Sequence, residues 1–121
     1  MTETITLFHG TTTDSARLLE QNGWVPHSFP LGNHCGNPGL LYLTTTIENA
    51  MWYAQEKGDD AVVAVEIEVS ALIVDPEDGI GDTVQEEFEK SSRSGMPANF
   101  ATRRPIPAER FAIVSTPAPT L

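Results

Sequence analysis

Residues 39–58 read GLLYLTTTIENAMWYAQEKG, and this stretch decides how the rest of the chain is interpreted. Its first half is a short apolar run with the composition of a buried strand, and Thr46 is a natural N-cap for the helix that follows. Apolar residues at helical spacing predict a core-facing stripe: Ile47, Ala50, Met51 and Ala54. Trp52 falls opposite that stripe, among polar residues. The stretch therefore predicts a strand that leads directly into an amphipathic helix.

A second junction of the same form lies upstream, in LFHGTT at residues 7–12. The strand is predicted over residues 5–8 and the helix over residues 15–21. His9 and Gly10 would then sit at the end of the strand. Because glycine lets a ligand approach the backbone closely, this strand end is a candidate binding position. A structural role for His9 stays open.

The remainder of the chain predicts one more helix and a series of strands. The helix is expected over residues 82–90, and strands over residues 61–69, 72–74, 99–103 and 111–115. No strand is followed by a Gly-rich phosphate-binding turn, which disfavours a doubly wound fold. We expect an α+β domain with a split, mostly antiparallel sheet and two to three helices. One domain would span residues 1–121, with 116–121 a frayed tail.

Composition restricts the classes of partner. Seventeen acidic against seven basic residues give a formal net charge of −10, which repels nucleic acid, although a small nucleotide could still be held by backbone amides and one or two arginines. No apolar run approaches the roughly 20 residues of a membrane span, and no signal peptide is evident. The expectation is a cytoplasmic protein without a membrane partner, with a secreted effector as the open alternative.

Metal binding is not predicted. His9, His27, His34 and Cys35 occur at spacings that match no zinc motif. Cys35 is expected to be an ordinary loop thiol, because its sequence neighbour His34 would usually point away from it. Residues 26–38, which hold Cys35 and two of the histidines, lack any periodicity and predict a binding loop or lid.

Tyr42 is the second candidate site residue. It lies in the middle of the predicted strand, between two leucines whose side chains face the other way. A plain core aromatic is the common fate of a tyrosine in such a place. The three threonines after it and the Trp52-Tyr53 pair downstream favour a site instead.

Three motifs in succession resemble the ADP-ribosyltransferase fold, on its diphtheria-toxin and poly(ADP-ribose) polymerase side. The motifs are LFHGTT at 7–12, GLLYLTTTIENAMWYA at 39–54 and IPAERFAIV at 106–114. In that family one strand carries His followed by Gly and a Ser or Thr. A second strand carries Tyr and leads into a helix, and a third motif, often Glu, opens a late strand.

The resemblance implies NAD as the bound substrate and assigns roles to residues. His9 would hydrogen-bond the ribose beside the adenine, and the backbone of Gly10 would hold the nicotinamide carboxamide, with Thr11 nearby. Tyr42 would stack on the nicotinamide. Trp52, or alternatively Tyr53, would pack against the other side of the nicotinamide ring. Arg17 would contact the pyrophosphate. The loop at 26–38 would cover the dinucleotide.

The third motif departs from the family pattern. By resemblance its Glu position falls near Asn99, within residues 96–99, where no acid stands. The alternatives are Gln85, Glu86, Glu87 and Glu109. An asparagine can hydrogen-bond a ribose hydroxyl, but it cannot serve as a general base. Asn99 is therefore the third catalytic candidate, with His9 and Tyr42.

The function implied is an NAD-dependent mono-ADP-ribosyltransferase, a glycosyltransferase that releases nicotinamide and passes ADP-ribose to an unknown acceptor or to water. The acceptor is expected to be a protein rather than nucleic acid. A small acidic transferase of this kind suits a toxin, with an antitoxin or regulator as partner. The alternative is an inactive domain of the same fold that binds NAD, another nucleotide or a protein.

Overall fold

The computed structural model describes residues 3–29 and 37–115, and these residues form an α+β domain. Six strands and three α-helices make up this part of the chain. In order they are β1 (Thr4–Thr11), α1 (Thr13–Asn22), β2 (Leu41–Thr44), α2 (Ile47–Glu56), β3 (Ala61–Glu68), β4 (Leu72–Val74), α3 (Val84–Ser94), β5 (Asn99–Thr102) and β6 (Phe111–Ser115). None of the three helices is long and apolar enough to cross a membrane.

The sheet has the strand order β4-β5-β2-β1-β3-β6, and each neighbouring pair is antiparallel. Strands β1 and β3 pair along the whole of β1, from Thr4 to Thr11. Strands β1 and β2 share a single registered pair, Phe8 with Thr44. Backbone pairing between β1 and β2 is therefore confined to this position, which leaves a gap in the ladder between the two strands. The predicted α+β class and antiparallel sheet are confirmed.

Helix α2 packs directly on β1 at a glycine. A β-carbon placed on Gly10 would lie 1.7 Å from the carbonyl oxygen of Ala50, so any other residue would push the helix away. Ala50 and Ala54 are fully buried at this contact. Ile47 is 38% exposed, so the core-facing stripe of α2 is narrower than its sequence spacing predicted.

Strand β1 is longer than predicted. Its sequence pattern indicated an end at residue 8, but β3 continues the ladder to the pair Thr11 with Ala61. His9 and Gly10 therefore lie inside the strand, held by backbone pairing that local sequence does not reveal. The local prediction placed them at its end, and that placement was wrong.

Helix α3 also differs from its prediction. It was expected over residues 82–90 and instead runs from Val84 to Ser94. The Thr83 side chain caps its first turn, and Gly95 ends it in a left-handed conformation at φ 75°. The helix continues past residue 90 through Ser91, Ser92 and Ser94 and ends at Gly95.

Candidate functional site

His9 is a neutral imidazole with a fixed orientation. Its Nδ1 lies 2.7 Å from the backbone oxygen of Tyr42 on β2. Burial, and then the positive charge of Lys57, lower the pKa of His9 to about 3, while the bond to Tyr42 acts in the other direction. A carbonyl oxygen can only accept, so Nδ1 carries the proton and Nε2 is the acceptor. The ring therefore bridges the gap between β1 and β2.

Two cavities meet at His9. The first, here named the Trp24 cavity, encloses about 150 Å³, the size of an engineered cavity that binds benzene. Its lining includes Thr11, Leu19, Trp24, His27, Phe29 and Leu41. The second, here named the Tyr53 cavity, encloses about 80 Å³. Its lining includes Gly10, Tyr42, Tyr53, Asp75, Glu77 and Asn99. His9 and Lys57 line both cavities.

Carboxylates surround the Tyr53 cavity. Glu56 and Asp78 also line it, in addition to Asp75 and Glu77. Tyr53 donates its phenolic hydrogen to Asp78 Oδ2 at 2.5 Å. Burial, this hydrogen bond and the negative charge of Asp78 raise the pKa of Tyr53, so the phenol stays neutral. The cavity thus combines aromatic rings with negative charge, the combination that favours a cationic or electron-poor ring.

Asp75 organises the loop that carries Glu77 and Asp78. It is buried, and its Oδ1 accepts hydrogen bonds from the backbone N–H of Glu77 at 2.8 Å and of Asp78 at 3.2 Å. Burial raises the pKa of Asp75, while the two backbone N–H groups act in the other direction. The backbone N–H of Asp75 in turn donates to the carbonyl of Asn99. The loop after β4 is therefore tied to the first residue of β5.

Asn99, the predicted third catalytic candidate, opens β5 and lines the Tyr53 cavity. Its Oδ1 accepts a hydrogen bond from Asn49 Nδ2 at 2.9 Å, and the same Asn49 nitrogen donates to Thr44 Oγ1 at 2.8 Å. The Asn99 side chain is therefore held by α2 and, through Asn49, by β2. Several described residues are candidates for the third motif by resemblance. Of these, Asn99 is the one that lines this cavity.

Glu87 has a structural role that its sequence did not suggest. It is 1% exposed, and its carboxylate accepts from the backbone N–H groups of Ile80, Gly81 and Asn99. Gln85, Glu86 and Glu87 lie in α3, and Glu109 lies in a short 3₁₀ turn before β6. Neither cavity is lined by any of these four. The carboxylate of Glu87 therefore holds the backbone of Asn99, which lines the Tyr53 cavity.

Helix α2 presents Tyr53, and not Trp52, to the site. Trp52 is 54% exposed and lines neither cavity, whereas Tyr53 lines the cavity named after it. The two rings touch edge-on, with centroids 5.1 Å apart. Adjacent helical residues point about 100° apart, so only one of them can face the cavity. The sequence analysis named Trp52 first for the ring contact, whereas in the structure Tyr53 is the one that lines the cavity.

The other predicted binding residues are divided between the two cavities and the surface. Gly10 lines the Tyr53 cavity and Thr11 the Trp24 cavity. Arg17 is exposed on α1 and lines neither. From the predicted loop at 26–38, the described His27 and Phe29 line the Trp24 cavity. His34 and Cys35 lie outside the described residues.

Lys57 is the site residue that the sequence prediction missed. It caps the C-terminal end of α2, and its Nζ donates to the carbonyl oxygen of Gly10 at 2.8 Å. A helix C-terminus favours a cation there. The sequence did carry a signal, because Lys57 is one of two lysines in the chain and directly precedes Gly58. Within residues 3–29 and 37–115, no group of three or more His, Cys, Asp or Glu could hold a metal ion.

Comparisons with known proteins assign no family and no ligand to this site. No protein-family model, no curated protein and no solved structure matches the chain.

Proposed function

We propose that the protein binds NAD across the two cavities and cleaves its nicotinamide–ribose bond, as a mono-ADP-ribosyltransferase does. The observation that carries this proposal is the neutral His9 between an aromatic, largely uncharged cavity and an acidic one. NAD has the matching order of groups: a neutral purine, an anionic linker and a cationic pyridinium ring. The resemblance of the three sequence motifs supports the same substrate.

The lining of the Tyr53 cavity suits a nicotinamide ring by its chemistry. Tyr42 and Tyr53 supply aromatic surface there, and Gly10 supplies backbone from the open side of β1. The carboxylates favour the pyridinium charge of oxidised NAD. The adenosine half then falls in the Trp24 cavity, against Trp24 and Phe29. His9 Nε2, as an acceptor, is available to a ribose hydroxyl between the two halves.

The reaction needs little beyond positioning and charge. When the bond between the ribose C1′ and the nicotinamide nitrogen breaks, its electron pair leaves with nicotinamide and C1′ becomes oxocarbenium-like. An acceptor hydroxyl or amine, or water, then attacks C1′ and loses its proton to solvent water. The carboxylates of the Tyr53 cavity stabilise the positive charge that is left on the sugar. Asn99 can hold a ribose hydroxyl through its amide group.

A second candidate function keeps the binding and omits the transfer. At the opening of β5, Asn99 stands where the family pattern often has Glu, and an amide cannot take the acceptor's proton. A protein that binds NAD or another nucleotide without cleaving it would show the same two cavities. This reading differs from the first in a single measurable respect, the release of nicotinamide.

Release of nicotinamide from NAD by the purified protein tests the proposal. We expect the rate of release to fall at least about 100-fold in His9→Ala. The variant loses the imidazole that would hold the ribose hydroxyl and that connects β1 to β2. Trp52→Ala is the matched control, an aromatic truncation outside both cavities that should leave the rate unchanged. Circular dichroism shows whether each variant is folded.

The outcomes separate the candidate functions. A thermal shift with NAD but no nicotinamide release would support the binding-only function. Neither a shift nor release in the wild-type protein would overturn both. Equal loss in Trp52→Ala and His9→Ala would mean that the rate does not depend on the cavities described here.

A further inference from the structure

Lys57 occupies the junction of the two cavities. Like His9, Lys57 lines both the Trp24 cavity and the Tyr53 cavity. No other Lys or Arg of the described residues lines either one. A ligand with one end in each cavity must therefore pass this ammonium group.

The position of the ammonium group is fixed by the backbone. Lys57 Nζ donates to the carbonyl oxygen of Gly10 at 2.8 Å, and Lys57 itself caps α2, which packs on β1 at Gly10. This hydrogen bond is one of the contacts that orient the ammonium group. Lysine binds phosphate as a point charge, so a fixed position is what such a site requires.

Charge elsewhere in the site leaves few places for an anion. Glu56, Asp75, Glu77 and Asp78 line the Tyr53 cavity and would repel phosphate there. Arg17, which sequence resemblance placed at the pyrophosphate, is exposed on α1 and lines neither cavity. The junction at Lys57 is the point where an anionic linker meets a positive charge.

We propose that Lys57 is the phosphate-binding residue of this site and holds the linker between the two halves of the dinucleotide. The proposal rests on the proposed function for its ligand, and it assigns to Lys57 the contact that sequence resemblance gave to Arg17. Lys57 acts on affinity for the phosphate group and leaves recognition of the pyridinium ring to the Tyr53 cavity.

A pair of ligands that differ by one phosphate isolates the contact. Nicotinamide riboside and nicotinamide mononucleotide share the pyridinium ring and ribose, and the mononucleotide adds a 5′-phosphate. We expect the wild-type protein to prefer the mononucleotide and Lys57→Met to lose about tenfold of that preference, which corresponds to roughly 1.4 kcal/mol. Lys57→Arg keeps a positive charge and should keep most of the preference.

Lys90→Met is the matched control, because Lys90 is the other lysine of the chain, lies in α3 and lines neither cavity. It should leave both dissociation constants unchanged. If Lys57→Met weakens riboside and mononucleotide equally, Lys57 only supports the fold of the cavity and the proposal is wrong. An unchanged preference in Lys57→Met overturns it as well.

A second measurement holds even if Lys57→Met does not fold. In the wild-type protein the preference for the mononucleotide should fall when salt rises from about 50 to about 500 mM, because ions screen a phosphate–ammonium attraction. A preference independent of salt contradicts the proposal. If the wild-type protein binds neither ligand and no NAD, the proposed function itself has failed, an outcome distinct from loss of the phosphate preference alone.

Discussion

The two cavities share a wall but are built in different ways. The Trp24 cavity lies against packed apolar side chains, and Trp24 and Leu19 in its lining are also part of the main core. The Tyr53 cavity is bounded by a loop whose shape depends on hydrogen bonds to two buried carboxylates, those of Asp75 and Glu87. The Trp24 cavity therefore depends on general burial, while the Tyr53 cavity depends on a few specific polar contacts. Single substitutions should for this reason affect ligand binding in the two cavities to different extents.

The largest separation is expected from Glu87→Ala. The change leaves the backbone N–H groups of Ile80, Gly81 and Asn99 without their buried acceptor. We expect the free energy of unfolding to fall by about 3 kcal/mol, since each unsatisfied buried donor costs about 1–3 kcal/mol and the loop can relax in part. Urea denaturation measures this loss.

The same variant should affect the cavities unequally. Binding of nicotinamide should be lost at a temperature where Glu87→Ala is folded, and binding of ADP-ribose should be weakened much less. Glu89→Ala is the control, an exposed-face neighbour on α3. Equal loss of both ligands would show that the two cavities are not independently built.

The fold was largely predictable because its signals are local. The order of strands and helices follows from apolar runs and caps such as Thr46, which the structure confirms as the N-cap of α2. The extension of β1 through His9 and Gly10 was missed because it depends on pairing with β3, whose Ala61 lies 50 positions after its partner Thr11. Local pattern cannot report pairing of that kind.

The site was predictable only in its motif residues. His9, Gly10, Tyr42 and Asn99 reach the Tyr53 cavity as residues of β1, β2 and β5. Lys57 was missed because no motif names it, and its contact with Gly10 follows from helix packing. Glu87 is a third-motif candidate in the sequence, and its buried structural role was missed because glutamate is almost never fully buried without partners. Its partners are backbone groups, which carry no sequence signal.

His9 provides the next test, through pH. Its pKa is lowered to about 3 in the folded protein, whereas an unfolded histidine titrates near 6.5. Between these values the unfolded chain binds a proton that the folded chain does not, so stability present above about pH 6.5 is lost as the pH falls toward 3. We expect His9 to contribute about 1 kcal/mol per pH unit near the upper end of this window, below the full 1.36 because an unfolded histidine is only partly protonated there.

The difference between wild type and His9→Gln isolates this contribution. Glutamine can still donate to the carbonyl of Tyr42 but does not titrate. Urea denaturation at pH 7, 6 and 5 should show a shallower loss of stability in the variant, while carboxylates such as Asp75 contribute to both proteins alike. Parallel pH profiles would mean that His9 is not held neutral between the cavities.

A smaller effect is expected from the neighbouring aromatics of α2. Tyr53→Ala removes a ring from the Tyr53 cavity and should weaken NAD binding about tenfold, in line with the roughly 0.5–1.5 kcal/mol of an aromatic pair plus lost burial. Trp52→Ala removes a larger but exposed ring and should change the affinity less than twofold. Calorimetric titration with NAD measures both, and the reverse order would restore the original preference for Trp52.

The indole N–H signals of the two tryptophans give the most direct test of a single ligand spanning both cavities. Trp24 is buried in one cavity and Trp52 is exposed outside both. In ¹H–¹⁵N spectra we predict that ADP-ribose shifts the Trp24 indole and the amides of Thr11 and Ser15, that nicotinamide shifts the amides of Gly10 and Tyr42, and that NAD shifts both sets. If NAD moves only one set, or moves the Trp52 indole in preference to that of Trp24, the two cavities do not form one dinucleotide site.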